Sequence, residues 1–336
     1  MEARFETYGK KKKDISNPVT VIITICICMG CWIIGFFESV GLPFEPGPYA
    51  TPLWNQLSLF LKNNEIGIYT GGFLLLFLTS LAISRGSYML LITKGKTIFP
   101  FLFFLLLNST NPDTFPIQAS SVALLFLLAS FYELFRSYQL PVHVGRIYNA
   151  TVYISLGSLL WVYLLWFIPL FWYGLYKFRI LSIRNFFASV LGFFTTYWFV
   201  LAWCVWQHDY ALITVPLQNL ASIDFVFLQD TIQMNKVVPF SIIIFIAISI
   251  YVVLKEINAL RTRHYYTYLL TFSIYSFALI FIYEHNTANI LTIFFIPASI
   301  ILAYLFSNKS GFMSYLSYYG IIAFFVMLFI LRLWNY

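Results

Sequence analysis

The stretch Glu38-Ser-Val-Gly-Leu-Pro-Phe-Glu45-Pro-Gly-Pro48 separates two long apolar runs near the start of the chain. The first run covers about residues 19–37, and the second begins near residue 66. Two carboxylates and three prolines prevent a continuous helix through the stretch, because proline lacks the amide donor that a helix interior needs. We therefore predict a polar loop between two membrane-spanning helices.

A short amphipathic segment follows this loop. At helical spacing, apolar side chains form one face and polar side chains the other; the apolar set is Leu53, Trp54, Leu57, Phe60 and Leu61, and the polar set is Asn55, Gln56, Ser58 and Lys62. A helix of this kind lies along a bilayer surface. We interpret residues 38–66 together as an outer amphipathic platform loop.

The composition is that of a membrane protein. Of the 336 residues, 60% are hydrophobic and 10% are charged, and the mean hydropathy is +0.81. Soluble domains are roughly half apolar and about a quarter charged. Repeated apolar runs of about 18 residues or more indicate membrane-spanning helices. The predicted fold is an all-α, polytopic transmembrane bundle of about eleven spans, forming a single integral membrane domain over residues 1–336.

The distribution of charge predicts the orientation of the chain. In this span model only three of the 20 Lys and Arg residues fall on the outer side, which leaves 17 inside, whereas eight of the 13 acids fall outside. Basic loops stay in the cytoplasm. The N-terminus, with a basic tail over residues 1–18, is therefore predicted to be cytoplasmic, and residues 207–236 form a second outer loop. The positive net charge is interpreted as this topology signal, and no nucleic-acid partner is expected.

The segment from Asn149 to Tyr176 is too long for one span and short for two. Basic residues flank it at both ends, which predicts that it enters and leaves the membrane on the same side. We predict a short hairpin of two helices, over residues 148–160 and 163–177. The alternative is one bent helix, which would reverse the orientation of everything downstream.

Metal-ligand residue types occur in two patterns. Cys26, Cys28 and Cys31 lie inside the first apolar run but do not share one helical face, so we interpret them as small apolar residues. The outer pairs His208-Asp209 and Glu284-His285 have the chemistry of a divalent-metal site or a proton relay. Sequence neighbours do not naturally converge on one ion, so no metal and no cofactor are predicted.

Two outer carboxylates are the main candidates for chemistry. Glu38 ends the first span at the membrane surface, where a partly desolvated carboxylate can act as a general base. Asp113, in the turn Asn111-Pro112-Asp113, is predicted to lie at the same level. The alternative for each residue is an ordinary acid in a solvated outer loop, as the charge distribution between the two sides of the membrane predicts.

The order of these features resembles the GT-C superfamily of glycosyltransferases that use polyprenyl-phosphate-linked sugars. The features are the acid after the first span, the amphipathic outer helix, the Asn-Pro-Asp turn and the short hairpin that ends in basic residues. The resemblance implies that Glu38 deprotonates the acceptor hydroxyl and that Asp113 supports it. Further substrate-binding candidates on the outer face are Glu45, Lys62, Lys236 and His285.

The layout also resembles an uncharacterised family of polytopic bacterial envelope proteins, with an early Asn17-Pro18 and the same rhythm of spans. This resemblance implies a multi-pass protein of the bacterial inner (cytoplasmic) membrane that acts in envelope biogenesis. The expected partners are membrane lipid, a lipid-linked sugar and other membrane proteins. Two alternatives stay open: a non-catalytic subunit that scaffolds an envelope or secretion complex, and a flippase for lipids or lipid-linked sugars.

Overall fold

The computed structural model of the chain describes most of its length. The described residues are 18–39, 51–61, 64–93, 97–111, 114–140, 143–221, 241, 243–244, 246–251, 257, 259–283, 286–307 and 312–334. Within these ranges the regular structure is helical and there is no strand, which confirms the predicted all-α class.

The helices are numbered here in chain order. In chain order they are α1 (Pro18–Ser39), α2 (Pro52–Leu61), α3 (Glu65–Met89), α4 (Phe99–Ser109), α5 (Ala119–Arg136), α6 (Val144–Leu160), a 3-10 helix (Val162–Trp166), α7 (Phe167–Lys177), α8 (Ile183–Gln207), α9 (Ala211–Ala221), α10 (Leu260–Ile282), α11 (Thr287–Ser307) and α12 (Phe312–Trp334). Residues 241, 243–244 and 246–251 are also helical.

Six helices of the described part are long and apolar enough to cross a membrane: Pro18–Phe37 of α1, α3, α5, α8, α10 and α11. Phe99–Ser109 and Tyr315–Leu331 are shorter apolar helices. This is compatible with an integral, multi-pass membrane protein. The total of about eleven spans stays a prediction.

The centre of the bundle is the antiparallel pair α4 and α11. Every residue of α4 is buried, and 89% of the most apolar window of α11 is buried. The Phe103 ring, near the start of α4, lies 5.3 Å from the Phe306 ring at the end of α11. Helices α1 and α3 both pack on α4. Because α4 is apolar on all sides, it belongs in a protein interior rather than at a surface.

Helices α6 and α7 form the predicted hairpin. The backbone N–H of Gln139, which precedes α6, donates to the carbonyl of Phe178, which follows α7, at 3.4 Å. The ring of Phe135, in the last turn of α5, lies 5.2 Å from the Phe178 ring. The segment therefore starts and finishes at the same end of the bundle.

The packing of α6 against α8 gives independent support to the hairpin. Gly192 of α8 lies against Thr151 and the backbone of Tyr148, leaving no room for a Cβ atom. Further along both helices, the hydroxyl oxygens of Ser158 and Tyr197 are 2.8 Å apart. From the first contact to the second, the residue number increases in both α6 and α8, so the two helices are parallel. Two successive parallel helices need a returning element between them, and α7 provides it.

Basic residues collect at the end where the hairpin begins and finishes. An Arg146 guanidinium nitrogen donates to the carbonyl of Arg136 at 3.2 Å. The Arg261 Nε–H donates to the Tyr265 hydroxyl at 2.8 Å. Lys177, Arg179 and Arg263 act electrostatically on His264 of α10. This end, called the basic end below, is the one that the charge rule predicts to be cytoplasmic; the opposite end is called the far end.

Helix α2 lies at the far end, as the sequence predicts for the platform. The Thr51 hydroxyl donates to the carbonyl of Leu160 at 2.9 Å and so caps α6. Trp54 is buried, whereas Phe60 is 86% exposed. Ser58, predicted to face outward with the polar set, is instead buried, and its hydroxyl donates to the carbonyl of Asn55. A serine is buried readily because its own helix accepts its proton.

The predicted outer loop 207–236 contains a helix. Residues 211–221 form α9, with Pro216 inside it, and the backbone N–H of Ala211 donates to Asp209 Oδ1 at 2.9 Å at its start. The sequence prediction missed this helix, since a proline in a short segment normally indicates a loop. Residues 222–236 lie outside the described part.

The hairpin predicts where reporter fusions are active. Alkaline phosphatase, which folds only outside the cytoplasm, is expected to be inactive when fused after Leu140 and after Leu181, and active when fused after Tyr210. The decisive comparison is between the first two fusions. A single bent crossing would instead make one of the fusions at Leu140 and Leu181 active and the other inactive. Fusions of green fluorescent protein at the same sites are the control, because they should fluoresce where alkaline phosphatase is inactive.

Candidate functional site

An apolar groove runs between α1 and α3 toward the far end. Its volume is about 580 Å³, within the range of ligand pockets. Within the described residues the lining comes from these two helices: Met29, Trp32, Ile33, Phe36, Phe37, Ile66, Tyr69, Thr70, Phe73, Leu74 and Phe77. The stretch from Ile66 to Phe77 extends about 16 Å along a helix. In a bilayer, a groove of this composition is suited to a lipid chain.

Aromatic pairs hold the two walls of the groove together. The Trp32 and Phe73 rings meet edge to face at 5.2 Å, and the Phe36 and Tyr69 rings do so at 5.3 Å. Such pairs add about 0.5–1.5 kcal/mol each beyond the burial of their area. The buried indole N–H of Trp32 has no hydrogen-bond partner in the described part of the chain. Trp32 thus brings an indole donor without a described partner to a mainly apolar lining.

The predicted base lies next to the rim of this groove. Phe37 and Ile66 line its far end, and in the chain they adjoin Glu38 and Glu65. Glu38 is in the last turn of α1, but its side chain is outside what the structure describes. Glu65 is exposed at the start of α3. The other predicted site residues, Glu45, Lys62, Asp113, Lys236 and His285, lie outside the described residues.

The segment that carries Asp113 reaches the back of the same groove. Phe115 stacks on Trp32 with ring centroids 4.2 Å apart. The Ile117 N–H donates to the carbonyl of Ile68 on α3 at 3.1 Å, and Gly72 leaves room for the backbone of residues 115–117. Non-helical backbone therefore passes between α1 and α3 inside the bundle, where protein must satisfy its polar groups.

This segment begins where α4 stops, and polar side chains cap that helix end. The 11 residues of α4 span about 16 Å, roughly half of a bilayer core. Hydroxyl and amide donors add hydrogen bonds to carbonyls in the last turns of α4 and in the segment after it, and several of these carbonyls also accept a backbone N–H. The bonds are Asn108 to Phe104, Ser109 to Leu105, Thr110 to Leu107, and Thr114 to both Asn108 and Asn111. We therefore interpret the sequence Asn108-Ser-Thr-Asn111 mainly as the cap of α4.

Asn111 is the exception within the cap. It is fully buried, and neither its amide nitrogen nor its amide oxygen has a hydrogen-bond partner in the described ranges. A buried polar group without a partner costs about 1–3 kcal/mol. The capping of α4 therefore does not explain why residue 111 has an amide side chain. The sequence prediction named Asp113 in this turn and gave no role to Asn111.

A second cavity at the far end lies under α2. Its volume is about 380 Å³, and α2, α6, α8, α9 and the 3-10 helix contribute its lining. Hydrogen-bonding groups of Gln56, Ser158, Tyr197, Gln207 and Asp209 share it with the Trp203 ring and apolar side chains. No Lys or Arg lines it within the described part. Hydroxyl, amide and aromatic groups together suit an uncharged, hydroxylated ligand.

The two His-acid pairs gain no support as a joint site. Asp209 binds the N–H at the start of α9, and His208 is the C-cap of α8 with a left-handed backbone, φ 54°. Glu284 and His285 lie outside the described residues. Among the described residues, no three His, Cys, Asp or Glu side chains form a group that could hold a metal ion.

Comparison with known proteins gives no family assignment. A scan against protein-family models found no match, and searches of curated proteins and of solved structures found no significant match.

Gly72 and its neighbour Gly71 give a matched test of the buried segment. A Cβ atom at residue 72 would collide with the backbone of residues 115–117, whereas one at residue 71 would meet only the Ile117 side chain at 3.8 Å. Gly72→Ala is expected to reduce the free energy of unfolding by about 1–3 kcal/mol, as measured by SDS titration in mixed micelles. Gly71→Ala is the control, and equal stability of the two variants would contradict this packing.

The cap at the end of α4 predicts opposite effects at two neighbouring positions. Thr114→Val removes a hydroxyl that donates to the carbonyls of Asn108 and Asn111, each of which keeps a backbone N–H donor, so unfolding should become easier by about 0.5–1.5 kcal/mol. Asn111→Leu removes only unpartnered groups, so stability should be unchanged or higher. Thermal unfolding in detergent measures both. A loss at Asn111→Leu as large as at Thr114→Val would mean that Asn111 belongs to the cap.

Proposed function

We propose that the protein is an integral membrane enzyme that transfers a sugar from a polyprenyl phosphate to an acceptor hydroxyl, with Glu38 as the general base. The observation that carries the proposal is the groove between α1 and α3. It is apolar, it is long enough for several carbons of a lipid chain, and its rim adjoins Glu38 in the chain. A lipid bound there would place its head group at the end of the groove lined by Phe37, the residue before Glu38.

The reaction needs one proton acceptor at the rim. Glu38 takes the proton from the acceptor hydroxyl, and the hydroxyl oxygen attacks the anomeric carbon of the sugar. The bond from that carbon to the phosphate oxygen breaks, and polyprenyl phosphate leaves with the electron pair. General-base catalysis of this kind contributes about 10²–10⁴-fold. Lys62, which lies three residues before Glu65 and outside the described part, is the proposed contact for the phosphate.

The lining of the groove favours holding a lipid over moving its head group across the membrane. Among the described lining residues, only Thr70, Tyr69 and the Trp32 indole bring polar side-chain atoms to it. The Thr70 hydroxyl is already engaged with the carbonyl of Ile66 at 2.7 Å. A flippase needs a polar path through the bilayer, and the described lining provides none. The cavity under α2 supports the transfer reaction further, since its groups suit a hydroxylated acceptor.

Substitution of the two rim acids tests the role of Glu38. In nanodiscs containing undecaprenyl-phosphate-linked hexoses, Glu38→Gln is expected to reduce sugar release at least about 100-fold. Glu65→Gln makes the same change on the facing helix, where the carboxylate does not line the groove, and should leave the rate within about two-fold of wild type.

Each result leads to a different conclusion. Full activity of Glu38→Gln would show that Glu38 is not the general base. Binding of undecaprenyl phosphate without sugar release from any donor by the wild type would contradict the enzyme and support the scaffold alternative. Lipid binding is measured separately, by mass spectrometry of the lipids that remain with the purified protein.

A further inference from the structure

A second groove lies in the other half of α3, toward the basic end. It opens between α3 and α5 and has a volume of about 350 Å³. Phe272 of α10 and Ile296 and Ile300 of α11 form its back wall, so it extends into the core. We call it the inner groove. Its described lining is almost entirely apolar, with Arg85 as the one charged residue in it.

Two guanidinium groups lie on the helices that form the inner groove. Arg85 is exposed on α3 and lines the groove directly. On α5, the guanidinium carbon of Arg136 lies 6.0 Å from the ring centre of Tyr132, which also lines the groove. Glu133 approaches Arg136 to 4.0 Å and offsets part of its charge. No described acid pairs with Arg85, so the mouth keeps a net positive charge.

The size of the inner groove limits its occupant. A helix with a diameter of about 10–12 Å would fill 350 Å³ with about 4 Å of its length, which is less than one turn. The space therefore does not enclose a partner helix, whereas a part of a single acyl chain fits inside it. A soluble anion would satisfy the arginines but leave the apolar lining unused. Basic pockets between membrane helices on the cytoplasmic side bind anionic lipid head groups.

We propose that the inner groove binds one anionic phospholipid. One acyl chain lies between α3 and α5, and the phosphate is held by Arg85 and Arg136 through charge-assisted hydrogen bonds. This site goes beyond the proposed transfer reaction. It lies in the opposite half of α3 from the groove that adjoins Glu38, so either proposal can fail without the other.

Native mass spectrometry of the full chain tests the site. The protein is reconstituted with equal amounts of phosphatidylglycerol and phosphatidylcholine, and lipids that stay bound after mild activation are counted. We expect one retained phosphatidylglycerol per wild-type chain, favoured roughly 5- to 30-fold over phosphatidylcholine. In the double variant Arg85→Gln and Arg136→Gln, the preference should fall to about equal retention of the two lipids.

Blocking the inner groove with a bulky side chain is a second test of the site that does not depend on charge. Ala129 lines the inner groove, so Ala129→Phe should abolish retention of the lipid while leaving both arginines. The matched controls are Arg184→Gln, near the start of α8, and Ala323→Phe, on the exposed face of α12. Both should retain phosphatidylglycerol as the wild type does.

The other outcomes overturn the proposal. Equal retention of both lipids by the wild type would mean that the charge at the mouth selects nothing. Retention that is unchanged in Ala129→Phe and in the double variant would place the lipid elsewhere. If Ala129→Phe fails to fold, the double arginine variant alone decides, because its substitutions are on exposed side chains.

Discussion

A helix that ends inside an apolar layer must find donors for its last carbonyls, and α4 ends in this way. The hydroxyls of Thr110 and Thr114, with backbone N–H groups of Thr110 and Asn111, donate to the carbonyls of Leu107 and Asn108. With its end satisfied, the chain leaves α4 within the bundle and passes between α1 and α3 instead of continuing to the surface. Both helices pack on α4, and Phe115 supports the back of the space between them through Trp32. The lipid-sized groove is therefore a consequence of the early end of α4.

The same requirement acts at the hairpin. Helix α6 also stops early, and the Thr51 hydroxyl from the start of α2 caps its last residue. The Tyr275 hydroxyl donates to the carbonyl of Trp166 at 2.6 Å, at the junction of the 3-10 helix and α7. Two helix breaks are thus stabilised by side chains from distant parts of the chain. The platform helix is held in place because it completes the end of a buried helix.

The sequence predicted those features that depend on periodicity and charge. The apolar runs predicted α1, α3, α5, α8, α10 and α11, and the basic residues at both ends of 149–176 predicted the hairpin that the parallel packing of α6 and α8 supports. What could not be predicted depends on contacts between distant residues. The cap of α4 involves only ordinary polar residues, and Ser58 is buried because of where α2 sits. Likewise, the Asn111 amide has no partner among the described residues, and this is apparent only from the structure around it. The groove beside Glu38 belongs to this second class, since neither wall alone indicates a cavity.

Helix α3 connects the two lipid-sized grooves and gives them opposite charge. Its first half lines the groove whose rim adjoins Glu38 and Glu65, and its second half lines the inner groove with Arg85. The charge rule that predicts the basic end to be cytoplasmic therefore bears on both proposed lipid sites. In the proposed inner site, the phosphate would meet guanidinium groups that retain it. In the proposed transfer reaction, the polyprenyl phosphate would leave from a rim that adjoins two acids in the chain, with Lys62 as its proposed contact. A weak hold there suits a reaction that must release polyprenyl phosphate, because tight binding of the product would limit turnover.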